Sequence, residues 1–355
     1  MFFIFNMLTE KHYNEIREEL DSCKRPLFFF DDDPDGLCSF ILLYRYKREG
    51  KGVVVKSSPE LKPIFIKTVE DYSPDKVFIV DKPMVSPDFI DAVKVPIIWI
   101  DHHNIIKNSG TKYYNSRKDG FGEPASCICY RVVKQDLWIA ACGAVADWSL
   151  PDFSAKFSKE YPDLLPAKIT KPEKALYETK LGELVRILSF ILKGKISDVL
   201  SCVKILTRIK TPYELLNGET AQARFIIKRF KKIEEEYEIM LKKALKNIDD
   251  DKMILFIYSN RMSFTGDLSN ELLYRFPKKL ILVAREKGGE MKCSLRSSDH
   301  LSVSNILKKA LVGIDGYGGG HEYACGACIK NKDFEKFVEN IRKELQISQE
   351  KKPAK

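Results

Sequence analysis

The stretch Leu27-Phe28-Phe29-Phe30-Asp31-Asp32-Asp33-Pro34-Asp35-Gly36 decides how this chain is read. An unbroken apolar run that stops at acids, proline and glycine is the pattern of a strand buried on both faces; a half-exposed strand would alternate. A helical pattern follows over Leu37 to Lys47. The same alternation returns further on, with Val53 to Val55, Val77 to Val80 and Ile97 to Ile100 as short β-rich apolar runs separated by helical segments. Buried strands alternating with helices predict a parallel α/β sheet covered on both faces. Asp31, Asp81 and Asp101 each stand where one of these strands ends. Ligands of open α/β sheets sit beyond the carboxyl ends of the strands, so separate segments deliver carboxylates to one rim.

The 355 residues suffice for about two domains, each with its own core. From about Pro172 to Asp251 the chain turns helical and highly charged. Ile226, Phe230, Ile233, Tyr237, Leu241 and Leu245 recur at three- and four-residue spacing, which predicts an amphipathic connecting helix. Its cluster Lys228, Arg229, Lys231 and Lys232 reads as a solvated face. Strands resume at Met253 to Tyr258, Leu280 to Val283, Met291 to Leu295 and Tyr323 to Ile329, with helices near Leu268 to Arg275, Val303 to Leu311 and Asp333 to Leu345. The expected layout is a catalytic metal-binding domain over 1–190, a helical connector over 191–250, a smaller α/β substrate-binding domain over 251–347 and a frayed tail over 348–355. The active site is expected in the cleft.

Composition narrows the class. Charged residues at 31% and hydrophobic ones at 44% fit a globular chain, not a disordered or membrane-embedded one. The apolar opening Met1 to Leu8 is too short to span a bilayer and lacks the pattern of a signal peptide, so it reads as a strand or packed segment of a cytoplasmic protein, with Met7 as an alternative start. A net charge of +9 favours a polyanionic partner only modestly. Nine cysteines, mostly inside apolar runs, read as buried reduced thiols. The Cys325-x-x-Cys328 pair has no second pair beside it to complete a zinc site and reads as packing.

Chemistry enters with the acids. Asp31, Asp32, Asp33 and Asp35 at one strand end repel one another unless a cation is present. An acidic turn capping the next helix accounts for the same residues equally well. Asp101-His102-His103 tips the balance, because an acid and two imidazoles emerge at another strand end, and neutral imidazole is a common ligand for transition ions. Asp81 and Asp147 complete the set; Asp147 closes the small apolar run Ala141 to Ala146, where a buried carboxylate needs a partner.

In order, Asp31 to Gly36, Asp81, Asp101 to His103 and Asp147 resemble the motifs of the DHH phosphoesterase superfamily. Ser294-Leu295-Arg296-Ser297 and Gly318-Gly319-Gly320-His321, with Ala324 and Gly326, resemble those of its C-terminal DHH-associated domain. The Asp-x-Asp-x-Asp-Gly form of the first motif, with Asp31 at its head and Leu37 after the glycine, resembles the RecJ branch of single-strand exonucleases more than the NrnA branch. The chain is shorter than bacterial RecJ proteins.

The resemblance implies a fold, a site and an activity. Asp31, Asp33, Asp35, Asp81, His102 and Asp147 are implied metal residues, with Asp81 bridging a pair of ions and Asp31 and Asp101 close by as ligands or as acceptors behind them. Mixed carboxylate and imidazole ligation suits manganese, with magnesium as a substitute. Such ions activate water and stabilise charge on the phosphate. Asp81, His102, His103 and Asp101 are the implied catalytic group, His103 contacting the scissile phosphate. Arg296, Ser297, Gly319, Gly320 and His321 are implied to hold substrate. The implied activity is exonucleolytic cleavage of single-stranded DNA or RNA from the 5′ end. Alternatives are an oligonucleotide, cyclic-dinucleotide or nucleoside-bisphosphate phosphoesterase and, since every expected acid is kept, less readily a Cdc45-type replication scaffold; a replication or repair partner is compatible with catalysis.

Overall fold

The computed structural model describes residues 8–56, 59–107, 109–118, 122–246, 248, 252–298 and 301–350. Residues 1–7 of the apolar opening and 351–355 of the expected tail lie outside the described residues. The chain divides into two compact units, Met1–Phe230 and Lys231–Lys355.

In the first unit the elements run α1 (Glu10–Ser22), β1 (Pro26–Asp31), α2 (Pro34–Lys47), β2 (Lys51–Val55), β3 (Glu60–Leu61), α3 (Ile66–Tyr72), β4 (Lys76–Val80), β5 (Met84–Val85), α4 (Pro87–Ala92), β6 (Ile97–Asp101) and β7 (Lys112–Asn115). Helices follow: α5 (Ala125–Val133), α6 (Leu137–Ala146), α7 (Ser154–Glu160), α8 (Pro172–Glu178), α9 (Lys180–Ile191), α10 (Ile196–Leu206), α11 (Pro212–Asn217) and α12 (Ala221–Lys246), the last crossing the division between the units. The main sheet has the order β2-β1-β4-β6-β7 and is parallel throughout.

That order places the site. From β1 the chain proceeds to β2 on one side, and from β4 to β6 on the other, so the carboxyl ends of β1 and β4 flank the point where the winding reverses. Loops at such a point diverge and leave a crevice. Both faces of the sheet are covered, as the continuous apolar runs require. Leu27, Phe29, Val77, Ile79, Ile97 and Trp99 share one core with Val69, Phe89 and Ile90 of α3 and α4. On the opposite face Phe28 stacks on Phe78 at 5.3 Å, and Phe30 on Phe40 of α2 at 4.7 Å. Each fully buried phenylalanine contributes roughly 2–3 kcal/mol through area removed from water. Edge strand β7 was not foreseen, because Lys112–Asn115 is too short to show a period.

The second unit contains β8 (Met253–Ser259), α13 (Thr265–Arg275), β9 (Leu280–Lys287), β10 (Glu290–Arg296), α14 (Val303–Ala310), β11 (Gly316–His321), β12 (Ala324–Lys330) and α15 (Phe334–Glu350). Its sheet has the order β11-β12-β10-β9-β8 and is mixed: β8 and β9 are parallel, the rest antiparallel. Met291, Cys293, Leu295, Cys325 and Ile329 face α14 and α15 in one core. The glycine run is therefore an edge strand. In α12, Ile226, Phe230, Ile233, Tyr237 and Leu241 are buried as the spacing predicts, with Ala244 taking the place expected for Leu245. The described cysteines are all free and buried. Among the described residues no helix is long and apolar enough to cross a membrane.

Candidate metal centre

Asp33 ends the β1 turn as the N-cap of α2, its Oδ1 accepting the amide of Gly36 at 2.9 Å, with Pro34 at the first helical position. The capping role and the expected metal role thus fall on one residue. Gly36 is required by close approach: a Cβ there would lie 2.7 Å from the amide nitrogen of Asp31 and 2.8 Å from its carbonyl oxygen. Asp35 turns inward and accepts the amides of Ala125 at 2.7 Å and Ser126 at 3.0 Å, together with the Ser126 hydroxyl, which fixes it against the start of α5.

Asp81 is 1% exposed, and neither of its carboxylate oxygens makes a hydrogen bond among the described residues. Its backbone has φ of +58°, a left-handed conformation that is uncommon for a side-chain-bearing residue. Its amide donates to Ile100 O at 2.9 Å, which holds the turn. His102 Nε2 lies 3.2 Å from Asp81 Oδ1, and His102 Nδ1 lies 3.6 Å from Asp147 Oδ2 at the end of α6. Three sets of donor atoms come within 4.8 Å of one another: Asp81 with His102 and His103, Asp35 with His102 and Asp147, and Asp31 with Asp33 and Asp81. Asp81 and His102 each belong to two of these sets.

The charge state of the cluster follows from its crowding. Burial, then Asp33 and Asp35, push the Asp81 carboxyl well above the usual range. Burial and Asp35 raise Asp33, and burial raises Asp35 against its three donors. Asp147 keeps 42% side-chain exposure, yet the protein packed around it and the charges of Asp35 and Asp33 raise it as well. His102 is pushed down to about 3 by burial and by His103, so it is neutral and able to donate a lone pair. For His103, burial opposes the charge, but the hydrogen bond to Asp101 and the surrounding carboxylates outweigh it and raise the pKa. Unpaired buried oxygens, mutually repelling carboxylates and a neutral imidazole are the donor set that a hard or borderline divalent cation satisfies.

Other residues complete the surroundings. Asp101, fully buried, accepts His103 Nδ1 at 2.7 Å, the His103 amide at 3.1 Å, Tyr113 Oη at 3.3 Å and Asn115 Nδ2 at 3.1 Å. Its oxygens hold the ring and amide of His103 in place. Lys82, with no exposed side chain, donates to Asp31 Oδ1 at 2.9 Å, and burial raises Asp31 to about 6 despite that lysine. Asp32 faces Lys56 at 3.8 Å; burial lifts it to about 7 against the pull of Lys56 and Lys193. Tyr113, Asn115, Lys82, Lys56 and Lys193 were missed. Only Lys82, directly after Asp81 in an apolar turn, left a readable signal.

In the second unit, Arg296 is anchored by Asn270 Oδ1 at 2.7 Å and by Leu295 O at 2.9 Å. Ser297, expected to touch substrate, is 2% exposed and its hydroxyl donates to Leu301 O. Its side chain closes the turn after β10. Gly320 is demanded by its own backbone, with φ of +145° and a Cβ that would fall 2.4 Å from Ala324 O.

A doubly wound parallel sheet with this acid and imidazole cluster at its winding reversal, followed by a mixed-sheet unit, defines a class of two-domain α/β protein. Residues 27–165 match the DHH family, N-terminal domain, and residues 261–346 match the DHHA1 domain. The chain belongs to the DHH phosphoesterase superfamily. None of the curated proteins matches it in sequence. Its fold is similar to RecJ from Thermus thermophilus in complex with Mn2+, at 15% identity and a TM-score of 0.67, covering 95% of this chain and 55% of that one. It is similar to an exonuclease RecJ bound to manganese, at 17% identity and a TM-score of 0.58, covering 96% and 95% of the two chains. It is also similar to an exopolyphosphatase-related protein from Bacteroides fragilis, at 13% identity and a TM-score of 0.53, covering 98% and 100%. The chain thus spans about half the length of the Thermus RecJ.

Proposed function

We propose that this protein is a divalent-metal-dependent phosphodiesterase that shortens single-stranded nucleic acid from the 5′ end. The observation that carries the reading is Asp81, whose buried, unpaired oxygens belong to two overlapping donor sets. Asp33, Asp35, Asp81, His102 and Asp147 would hold the ions, with Asp31 at the margin and manganese preferred over magnesium. Divalent ions there supply an activated water and charge to offset that on the phosphate.

The chain's own residues do the rest. Asp101 keeps a proton on His103 Nδ1, so the imidazolium can donate from its other nitrogen to a phosphate oxygen. Lys56 and Lys193, beside Asp32, offer positive charge to a neighbouring phosphate of the strand. The burial of Lys82 against Asp31 holds the turn that carries Asp81. Arg296, fixed by Asn270, is a guanidinium suited to a phosphate.

The test is a length series of 5′- and 3′-labelled single-stranded DNA and RNA with the full chain and Mn2+. Stepwise loss from the 5′ end, faster on longer strands, is the expected result. Absence of hydrolysis with every divalent ion tried would overturn the reading. A rate that peaks at di- to pentanucleotides would move the protein to the short-substrate alternative.

A further inference from the structure

The face of β11, β12 and β10 turned away from α14 and α15 carries a pattern that packing does not account for. Side chains alternate along a strand, so Tyr317, Gly319 and His321 share that face. Tyr317 pairs with Cys328, Gly319 with Gly326 and His321 with Ala324. On the next strand Lys292, Ser294 and Arg296 stand opposite the same three residues of β12. The face therefore has rows two residues, roughly 6–7 Å, apart. One end holds Tyr317 and Lys292, the middle holds Gly319, Gly326 and Ser294, and the other end holds His321 and Arg296.

The glycines of this segment separate into two groups. At Gly316, Gly318 and Gly320 a Cβ would come within 2.7 Å or less of a backbone oxygen of β12, so the pairing of the strands requires glycine. At Gly319 a Cβ would meet nothing within 4 Å, and at Gly326 it would meet only Cys293 O at 3.8 Å. Neither has a positive φ. Glycine inside a strand costs roughly 0.5–1 kcal/mol against alanine, and here two lie side by side with no conformational or packing need. What the missing Cβ atoms do is keep the floor flat. Directly beyond that floor, Tyr317 is 73% exposed although aromatic, its hydroxyl toward Cys328, and Lys292 lies near Glu290.

We infer that Tyr317 is a specificity residue that stacks a nucleobase of the substrate over the floor of Gly319 and Gly326, with Lys292 at the same end of the face across Cys328. The inference rests on the nucleic-acid reading above and deepens it, since a base-free polyphosphate has nothing to stack. An exposed aromatic side chain on a surface that also carries cations is an arrangement that holds single strands without reading their sequence. Tyr317 acts on binding and not on the reacting atoms.

Two measurements test this at fixed salt. The first is anisotropy of a labelled single-stranded oligonucleotide, and of the same strand with abasic residues, binding to the full chain carrying Asp81→Asn. Adding Tyr317→Ala is expected to weaken binding of the base-bearing strand roughly ten-fold, the scale of one base–aromatic stack. Tyr317→Phe should restore it, and the abasic strand should bind all forms alike. The second is steady-state hydrolysis with Asp81 intact, where Tyr317→Ala should raise KM and leave kcat within about two-fold. Unchanged binding in Tyr317→Ala, equal losses on base-bearing and abasic strands, or no oligonucleotide binding at all would overturn the inference. The outcome for the proposed function is read separately, from whether the unsubstituted protein hydrolyses any oligonucleotide.

Discussion

Asp101 Oδ1 accepts His103 Nδ1 at 2.7 Å, two residues further along the same strand end. Because Asp101 also takes donors from Tyr113, Asn115 and the His103 amide, its negative charge is fully committed to holding that imidazole. Asp101→Asn replaces an acceptor oxygen with a donor NH2 among four donors, so His103 loses its orientation. Partners of this kind are worth about 10–100-fold in metalloenzyme activity. Turnover should fall by that amount with the circular dichroism and melting behaviour of the fold retained, and Asn115→Ala should show a smaller loss of the same sign. Wild-type kcat in Asp101→Asn would remove His103 from the reaction.

A second consequence concerns stability, and it runs opposite to activity. In the absence of cations Asp81 is a buried carboxyl group whose oxygens accept no well-formed hydrogen bond, in a left-handed backbone, among like charges. Asn tolerates that backbone conformation and carries no charge. Asp81→Asn should therefore stabilise the metal-free protein, by about 1–3 kcal/mol, while abolishing hydrolysis. Mn2+ should raise the melting temperature of the unsubstituted protein in a concentration-dependent way and that of the variant far less. Thermal melts in EDTA and in graded Mn2+ decide this. A variant that melts lower than the parent without metal would show that Asp81 serves the fold instead.

How much of this was legible depends on the range of each interaction. The four buried strands were readable because an unbroken apolar run followed by Asp is a local signal, and the gathering of Asp31, Asp81 and Asp101 at one rim follows from parallel topology alone. His102 and His103 were readable because they stand together after such a strand. Lys82, Tyr113 and Asn115 were not, since each matters only through a partner on another strand: Asp31 for Lys82, and Asp101 for the other two. Strand β11 was hidden for a different reason. Glycine has low β-propensity, and only the β12 pairing turns Gly316–His321 into an extended edge. Ser297 sits inside a motif that suggests ligand contact, yet its hydroxyl is consumed by Leu301 O four residues on.

The pH dependence of folding should carry the mark of Asp75, at the opposite end of β4 from Asp81. Burial alone would raise its pKa, but donors from Cys23 Sγ at 2.9 Å, Lys24 N at 2.6 Å and Arg25 N at 2.7 Å outweigh it and hold the carboxyl at about 2. The same contact, after burial itself, pushes the Cys23 thiol up to about 12, so the thiol remains the donor. A carboxylate whose folded pKa lies below its ordinary value of 3.8 stabilises the native state above that ordinary value and loses the contribution as pH falls toward the folded pKa. Asp75 ties the segment entering β1 to the one entering β4, the two strands that flank the site, so its loss should be felt in global unfolding. Asp75→Asn keeps the shape and removes the charge. Denaturant melts at pH 6 should show the variant less stable than the parent, and the gap should narrow steadily between about pH 4 and pH 2. A gap that stays constant through that window would assign the effect to packing and remove the charged hydrogen bonds of Asp75 from the account.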